Sequence, residues 1–268
     1  FLGKALRNRF AAFGAGLGLT ALLQSSTATG LLTSSFAAEG LVGLVPALAI
    51  MLGANVGTTL IVQVLSFDIS AVAPIFFLIG LVAFRSGARS RVKDVGRVFI
   101  GLGLMLLALH ILLTTLAPAE NAPGARVFLN AITGDPVLCI IIGAVTTWAV
   151  HSSVASVLLV MSLAYSHFVS PYAAFALVLG ANIGSALNPV FEGVRRDNPA
   201  SYRLPLGNML NRLVGVLLVT PFLHPIVDVM LAWQPNLAKA TATFHIAFNV
   251  MTAILFIGLL DGVARMLV

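Results

Sequence analysis

Two clusters of small polar side chains sit inside runs that are otherwise apolar, Gln24-Ser25-Ser26-Thr27 and His151-Ser152-Ser153. Their chemistry is recognition, not bond making: hydroxyls and amides hold an oxyanion by hydrogen bonds, and hydroxyl or carbonyl oxygens suit a small hard cation. The second cluster follows the first by 127 positions (151 − 24). Gly53-Ala54-Asn55-Val56-Gly57-Thr58-Thr59 and Gly180-Ala181-Asn182-Ile183-Gly184-Ser185-Ala186 lie at the same offset. So do Thr20 with Thr147, Leu31-Leu32 with Leu158-Leu159, and Gly80 with Gly207. An ungapped register of this length marks a duplicated unit. There is no Gly-rich phosphate loop closed by Lys-Ser/Thr, no metal-ligand His/Cys spacing and no convincing Ser-His-Asp set, so an enzyme is not expected.

The elements that position these clusters belong in a membrane. The chain is 59% hydrophobic and 9% charged, with a mean hydropathy of +1.03, more apolar surface than one water-soluble domain of 268 residues can hide. Fifteen Lys and Arg against nine acids raise the question of nucleic acid. Nearly all the basic residues lie in short segments between apolar spans, which is the positive-inside pattern instead. The lone Cys139 sits in an apolar run, excludes an intrachain disulfide and reads as a buried small hydrophobe.

In chain order, Phe10 to Leu23 is too short to cross, and with Leu31 to Ala38 it reads as a hairpin that enters the membrane and returns at Glu39-Gly40. Leu44 to Leu65 spans, interrupted at the Asn55 motif; Ala73 to Phe84 spans thinly; a basic loop runs from Arg85 to Arg97; Val98 to Leu116 crosses. The second half repeats the plan with a hairpin around His151, a return at His167 to Pro171, and a span from Tyr172 to Val190 interrupted at the Asn182 motif. Leu204 to Phe222 crosses, His224 to Lys239 connects, and Phe244 to Leu260 crosses last. An odd number of crossings between equivalent points inverts the second copy, and the distribution of basic segments agrees.

The expected fold is therefore an all-α integral membrane protein of two inverted-topology repeats, each with a re-entrant helical hairpin and an interrupted transmembrane helix. Residues 1–117 form the first repeat, expected to lack an upstream segment because residue 1 is Phe; residues 118–136 connect; residues 137–268 form the second. Broken helices free backbone N–H and C=O groups, and helix amino ends favour anions. Few fixed charges stand near the motifs, so an anion is expected to be held by dipoles and hydroxyls beside co-bound cations. Taken alone, the paired glycines serve helix packing as readily as a ligand site, and a lone Ser or Thr most often bonds to its own helix. The duplication shifts the weight toward a ligand. His110 and His245 read as packing or interfacial residues, and Asn208, Asn211 and Asn249 as braces.

"TALLQSSTAT", "GANVGTT", "GANIGS" and "FHIAFNVMTAILF" resemble the sodium-dependent phosphate cotransporter family related to the type II renal carriers, over nearly the whole chain. The resemblance implies a secondary active carrier that moves inorganic phosphate by alternating access, with Na⁺ as coupling ion and no other cofactor. It implies a site at Gln24, Ser25, Ser26, Asn55, Thr58 and Thr59 in the first half and Ser152, Ser153 and Asn182 in the second; Thr27 and His151 are further substrate candidates, and Thr58, Thr59, Ser156 and Ser185 are the candidate sodium ligands. His151 stands where the family has Gln, Val154 where a third hydroxyl would be, and Ser185-Ala186 replace Thr-Thr, which leaves fewer hydroxyls for a cation and introduces a titratable ring. The regulatory helical domain that some bacterial relatives carry is not expected within these residues. Two rivals stay open: a carrier of another small anion such as sulfate or a carboxylate, and a non-transporting subunit that recruits a regulatory partner. The expected location is the plasma (inner) membrane, multi-pass, with phosphate, sodium and lipid as partners, no nucleic acid, and a homodimer left open.

Overall fold

The computed structural model of the chain describes residues 8–66, 72–86, 90–120, 124, 134–193, 198 and 200–268, and every regular element among them is helical. In the first half these are α1 (Arg9–Leu23), α2 (Ser26–Ala38), α3 (Leu44–Leu65), α4 (Val72–Ser86) and α5 (Ser90–Glu120). The second half holds α6 (Pro136–Val150), α7 (Ser153–Tyr165), α8 (Pro171–Glu192), α9 (Ala200–Val219), a 3₁₀ turn (Thr220–Phe222), α10 (Leu223–Trp233), α11 (Leu237–Ile257) and α12 (Leu260–Met266). The bounds of α1, α2 and α3 recur in α6, α7 and α8 at the offset of 127 found in the motifs (136 − 9, 153 − 26, 171 − 44).

Among the described residues four helical stretches are long and apolar enough to cross a membrane: Leu44–Leu65, Pro171–Glu192, Ala200–Trp233 and Leu237–Ile257. α1, α6 and α7 are shorter apolar helices, as is Ala73–Ser86. At 15 residues, α4 rises roughly 22 Å against a hydrocarbon core of about 30 Å. Together with large exposed apolar side chains such as Leu217, Val229, Trp233 and Ile254, these spans make the chain a multi-pass membrane protein.

Three expectations are corrected. First, α3 and α8 run unbroken through Asn55 and Asn182. The glycines there do not break helices; they let a second backbone approach. A Cβ on Gly53 would stand 1.9 Å from the Phe13 carbonyl oxygen, and one on Gly180 2.1 Å from that of Ile140. Gly57 and Gly184 meet the carbonyls of Leu17 and Ala144 in the same way, and Gly16 and Gly143 return the contact against Ile50 and Leu177. Helices α1 and α3 thus pack as α6 and α8 do, residue for residue. Second, the connection expected from His224 to Lys239 contains helix α10, because Pro225 falls in its first turn, where a missing N–H costs nothing. Third, the basic segment is not one loop: Arg85 ends α4, and Arg91, Lys93 and Arg97 lie in α5. Arg89, the expected loop residues Asp68, Arg195 and Arg196, and most of the expected connection 118–136 lie outside the described residues.

The chain divides into two compact units, Phe1–Gln63 with Leu129–Val268, and Val64–Phe128. In the smaller, α4 and α5 pair closely at Gly80 and Gly96, with Phe76 edge-on to Phe99 at 5.5 Å and Arg97 paired to Asp94 at 2.8 Å. In the larger, Ala12, Leu48, Leu52, Leu204, Phe256 and Leu260 form one core, and Phe175 stacks on Phe244 at 4.3 Å. Arg9 ties the start of α1 to Asp261 at 2.8 Å and to the Ile257 carbonyl at 2.9 Å.

Overpacking of this kind costs about 1–3 kcal/mol or more, whereas a Cβ added at Gly14 would have nothing within 4 Å. Gly180→Ala is therefore expected to lower the melting temperature of purified protein in detergent by several degrees, while Gly14→Ala leaves it unchanged or raises it, by the helix propensity of about 1 kcal/mol.

Candidate functional site

Each polar cluster is the joint between two helices. Gln24 caps α1 in the left-handed region (φ 55°, ψ 22°), its N–H donating to the Thr20 carbonyl at 2.7 Å. Ser25 then turns extended (φ −148°, ψ 113°) and its Oγ accepts from the Ala28 N–H at 3.1 Å, capping α2. His151 (φ 58°, ψ 19°) and Ser152 (φ −146°, ψ 108°) repeat this, with the Ser152 Oγ accepting from the Ala155 N–H at 3.2 Å. A non-glycine residue in the left-handed region costs roughly 1–2 kcal/mol, and both halves hold one at the same place. Ser is a strong N-cap, which is why an apolar helix stops and a new one starts here. The arms of the first joint are tied by Thr20 and Thr29, whose hydroxyl oxygens lie 2.9 Å apart. The N–H groups at the first turns of α2 and α7, at Ser26-Thr27 and Ser153-Val154, have no acceptor within their helices.

The Asn motifs meet at a charge. Arg212, on α9, is 3% exposed. Its Nη2 donates to the Asn55 Oδ1 of the first motif, and its Nη1 to the Asn182 carbonyl and the Ser185 Oγ (2.6 Å) of the second. Asn55 in turn donates through Nδ2 to the Asn208 Oδ1 at 3.0 Å. Asn208 lies one helical turn before Arg212 and shares its face. On the other side Asn249 donates to the Asn182 Oδ1 at 2.9 Å and to the His245 carbonyl at 2.9 Å. The Asn182 Nδ2 donates to Val178 at 2.8 Å, and Ser185 donates to the Asn182 carbonyl at 3.1 Å. Pro189 has no N–H to offer the Ser185 carbonyl four residues back.

Asn55, Asn182 and Ser185 are thus brought together around one guanidinium. Among the described residues none of the others named from the sequence hydrogen-bonds to it. Gln24, Ser25 and Thr27 are half-buried at the first joint, with Ser26 buried; Ser152 is half-buried and Ser153 buried at the second. Thr58 and Thr59 are buried and donate to their own helix at Ala54 and Val56, and Ser156 donates to Ser152. His151 turns outward, its Nε2 2.8 Å from Glu192 Oε1 and its side chain 57% exposed. His110 is exposed, whereas His245 is fully buried with no partner at Nδ1. Asn208 and Asn249 do brace, against the Asn motifs rather than the hairpins; the Asn211 Oδ1 has no partner.

The expectation of few fixed charges near the motifs is corrected by Arg212. Its signal was present in the sequence: a lone arginine within an apolar span, with asparagines four and one residues before it. An ionisable group inside a membrane span is a candidate functional residue. Among the described residues no group of His, Cys, Asp and Glu has metal-binding geometry.

These features define a multi-pass helical membrane protein whose interior carries a desolvated polar layer. The chain matches the family model described as "Na+/Pi-cotransporter" over residues 1–114 and 119–224, and it belongs to that family. It is 39% identical over 264 residues to an Escherichia coli K12 protein named "Putative inorganic phosphate export protein YjbB", covering 98% of this chain and 48% of that one. A Salmonella typhimurium protein of the same name matches equally. A Bacillus subtilis protein named "Uncharacterized protein YqeW" is 27% identical over 248 residues, 92% of this chain and 80% of its own. The chain spans about half the length of the phosphate export relatives it matches. No solved structure matches it. The informative names are those of transporters, not of enzymes.

A buried amide left without its partner costs about 1–3 kcal/mol. Asn55→Ala and Asn208→Ala are each expected to lower thermal stability by that order, and the double variant by clearly less than their sum; additive losses would mean the two amides do not interact.

Proposed function

We propose that this chain moves inorganic phosphate across the plasma (inner) membrane, coupled to sodium, by alternating access between its two related halves. The observation that carries this reading is the recurrence of one joint geometry, left-handed Gln24 or His151 followed by a capping Ser25 or Ser152, at the offset that also relates the two Asn motifs. Free N–H groups at the start of α2 and α7, with the amide of Gln24 and the hydroxyls of Ser25, Ser26, Thr27, Ser152 and Ser153, have the chemistry to hold a tetrahedral oxyanion. Asn55 and Asn182 add their amides to that set. His151 contributes at the second joint, where its ring also reaches Glu192.

In this reading the two helical pairs are re-entrant hairpins that enter from opposite faces, as an inverted repeat requires. The short apolar lengths of α1, α2, α6 and α7 support it, since none reaches the roughly 20 residues of a spanning helix. Sodium is held by hydroxyl and carbonyl oxygens at Thr58, Thr59, Ser156 and Ser185. The phosphate in the relatives' name and the sodium in the family description support substrate and coupling ion.

Purified protein in liposomes is expected to show saturable flux of labelled phosphate that depends on a sodium gradient and resists competition by sulfate. Ser25→Ala and Ser152→Ala should each lower it about tenfold or more, since each removes a cap and a hydroxyl at a tip. Flux indifferent to sodium would remove the coupling ion, equal competition by sulfate or a carboxylate would change the substrate, and no flux in either direction would overturn the reading.

A further inference from the structure

Arg212 is the one cation among the described residues whose guanidinium meets both Asn motifs, and no described carboxylate balances it. It is 3% exposed, and all of its acceptors, the Asn55 Oδ1, the Asn182 carbonyl and the Ser185 Oγ, are neutral. The ion pairs among the described residues, Arg9 with Asp261, Arg97 with Asp94 and His151 with Glu192, do not include it and are solvent-accessible. Its Nε has no partner, and neither has the Oδ1 of the adjacent Asn211. Removing a guanidinium from water costs several kcal/mol, and a chain that needed only a strut would pair it with a carboxylate or replace it by an apolar group.

We propose that Arg212 is the charge partner of the transported oxyanion, a binding residue beyond the hydroxyls and amides of the hairpin tips. This rests on the reading of the chain as a phosphate carrier. The planar fork of arginine offers Nε–H and Nη–H donors to two oxygens of a tetrahedral anion at once. The neutral oxygens of Asn55 and Ser185 hold that fork in place from opposite halves; a phosphate oxygen, bearing charge, outcompetes either of them. Because Asn55 lies at the offset of 127 from Asn182 (182 − 55), the fork stands where the two halves meet, and moving one half against the other trades which neutral acceptors it keeps. The charge on Arg212 also discriminates: it favours an anion that accepts two parallel hydrogen bonds over a spherical one such as chloride.

The test is phosphate flux and equilibrium phosphate binding by wild-type, Arg212→Lys and Arg212→Gln proteins, purified and placed in liposomes or detergent, with melting temperatures measured alongside. The expected result is that Arg212→Lys, which keeps the charge and loses the fork, raises KM and Kd for phosphate about tenfold or more. Arg212→Gln should abolish saturable binding while the protein still melts cooperatively. Should Arg212→Gln fail to fold, the lysine variant decides. If wild-type protein carries phosphate and Arg212→Lys lowers the melting temperature or the maximal rate but leaves KM and Kd within about twofold, Arg212 is a strut and the inference is overturned, with the carrier function intact. If the wild-type protein itself neither binds nor moves phosphate, it is the functional reading that fails.

Discussion

A positive charge kept out of water must be balanced, and in this chain the group that sets that requirement is the Arg212 guanidinium. In water the fork would be solvated on every face; in the interior it relies on three neutral oxygens, drawn from helices α3 and α8. Such oxygens satisfy N–H groups without cancelling charge. The surrounding amides, Asn208 on Asn55 and Asn249 on Asn182, hold the acceptors in orientation and leave little freedom for the ring of contacts to relax. A polar layer of this kind is costly to bury, and the fixed charge at its centre is positive.

Helices α3 and α8, which carry the acceptors of that layer, are each packed backbone to backbone against a neighbour. Gly16 and Gly53 remove the side chains that would keep α1 from α3, and Gly143 and Gly180 do the same for α6 and α8. Backbones in such contact hold each helix pair closely together, and the Asn at the middle of each motif is buried. The joints at Gln24-Ser25 and His151-Ser152 hang from the ends of α1 and α6, the same helices that the glycines clamp. The joints and the close-packed helix pairs are therefore parts of one arrangement, built twice.

Much of this was legible from residue order. Apolar run lengths gave Leu44 to Leu65 as a span with those bounds, and polar residues interrupting apolar runs marked both joints, because such a break is local in the sequence. The glycines of the Asn motifs were ambiguous: a small residue signals either a break or a close neighbour, and only the position of the Phe13 and Ile140 carbonyls decides between them. The segment from His224 to Lys239 reads as a connection in the sequence, yet it holds α10, because Pro225 stands in the first turn, where proline does not break a helix. Arg212 was hidden by counting charges along the sequence, where it is one residue in an apolar span; its weight comes from burial and from partners 157 and 30 positions away.

The most direct measurement is solid-state NMR of the protein in lipid, with arginine side chains carrying ¹⁵N, in the presence of saturating phosphate, reading dipolar contact between guanidinium nitrogens and ³¹P. The account predicts dephasing from one arginine that disappears in the Arg212→Lys protein. Phosphate bound to saturation with no arginine signal in contact would contradict it.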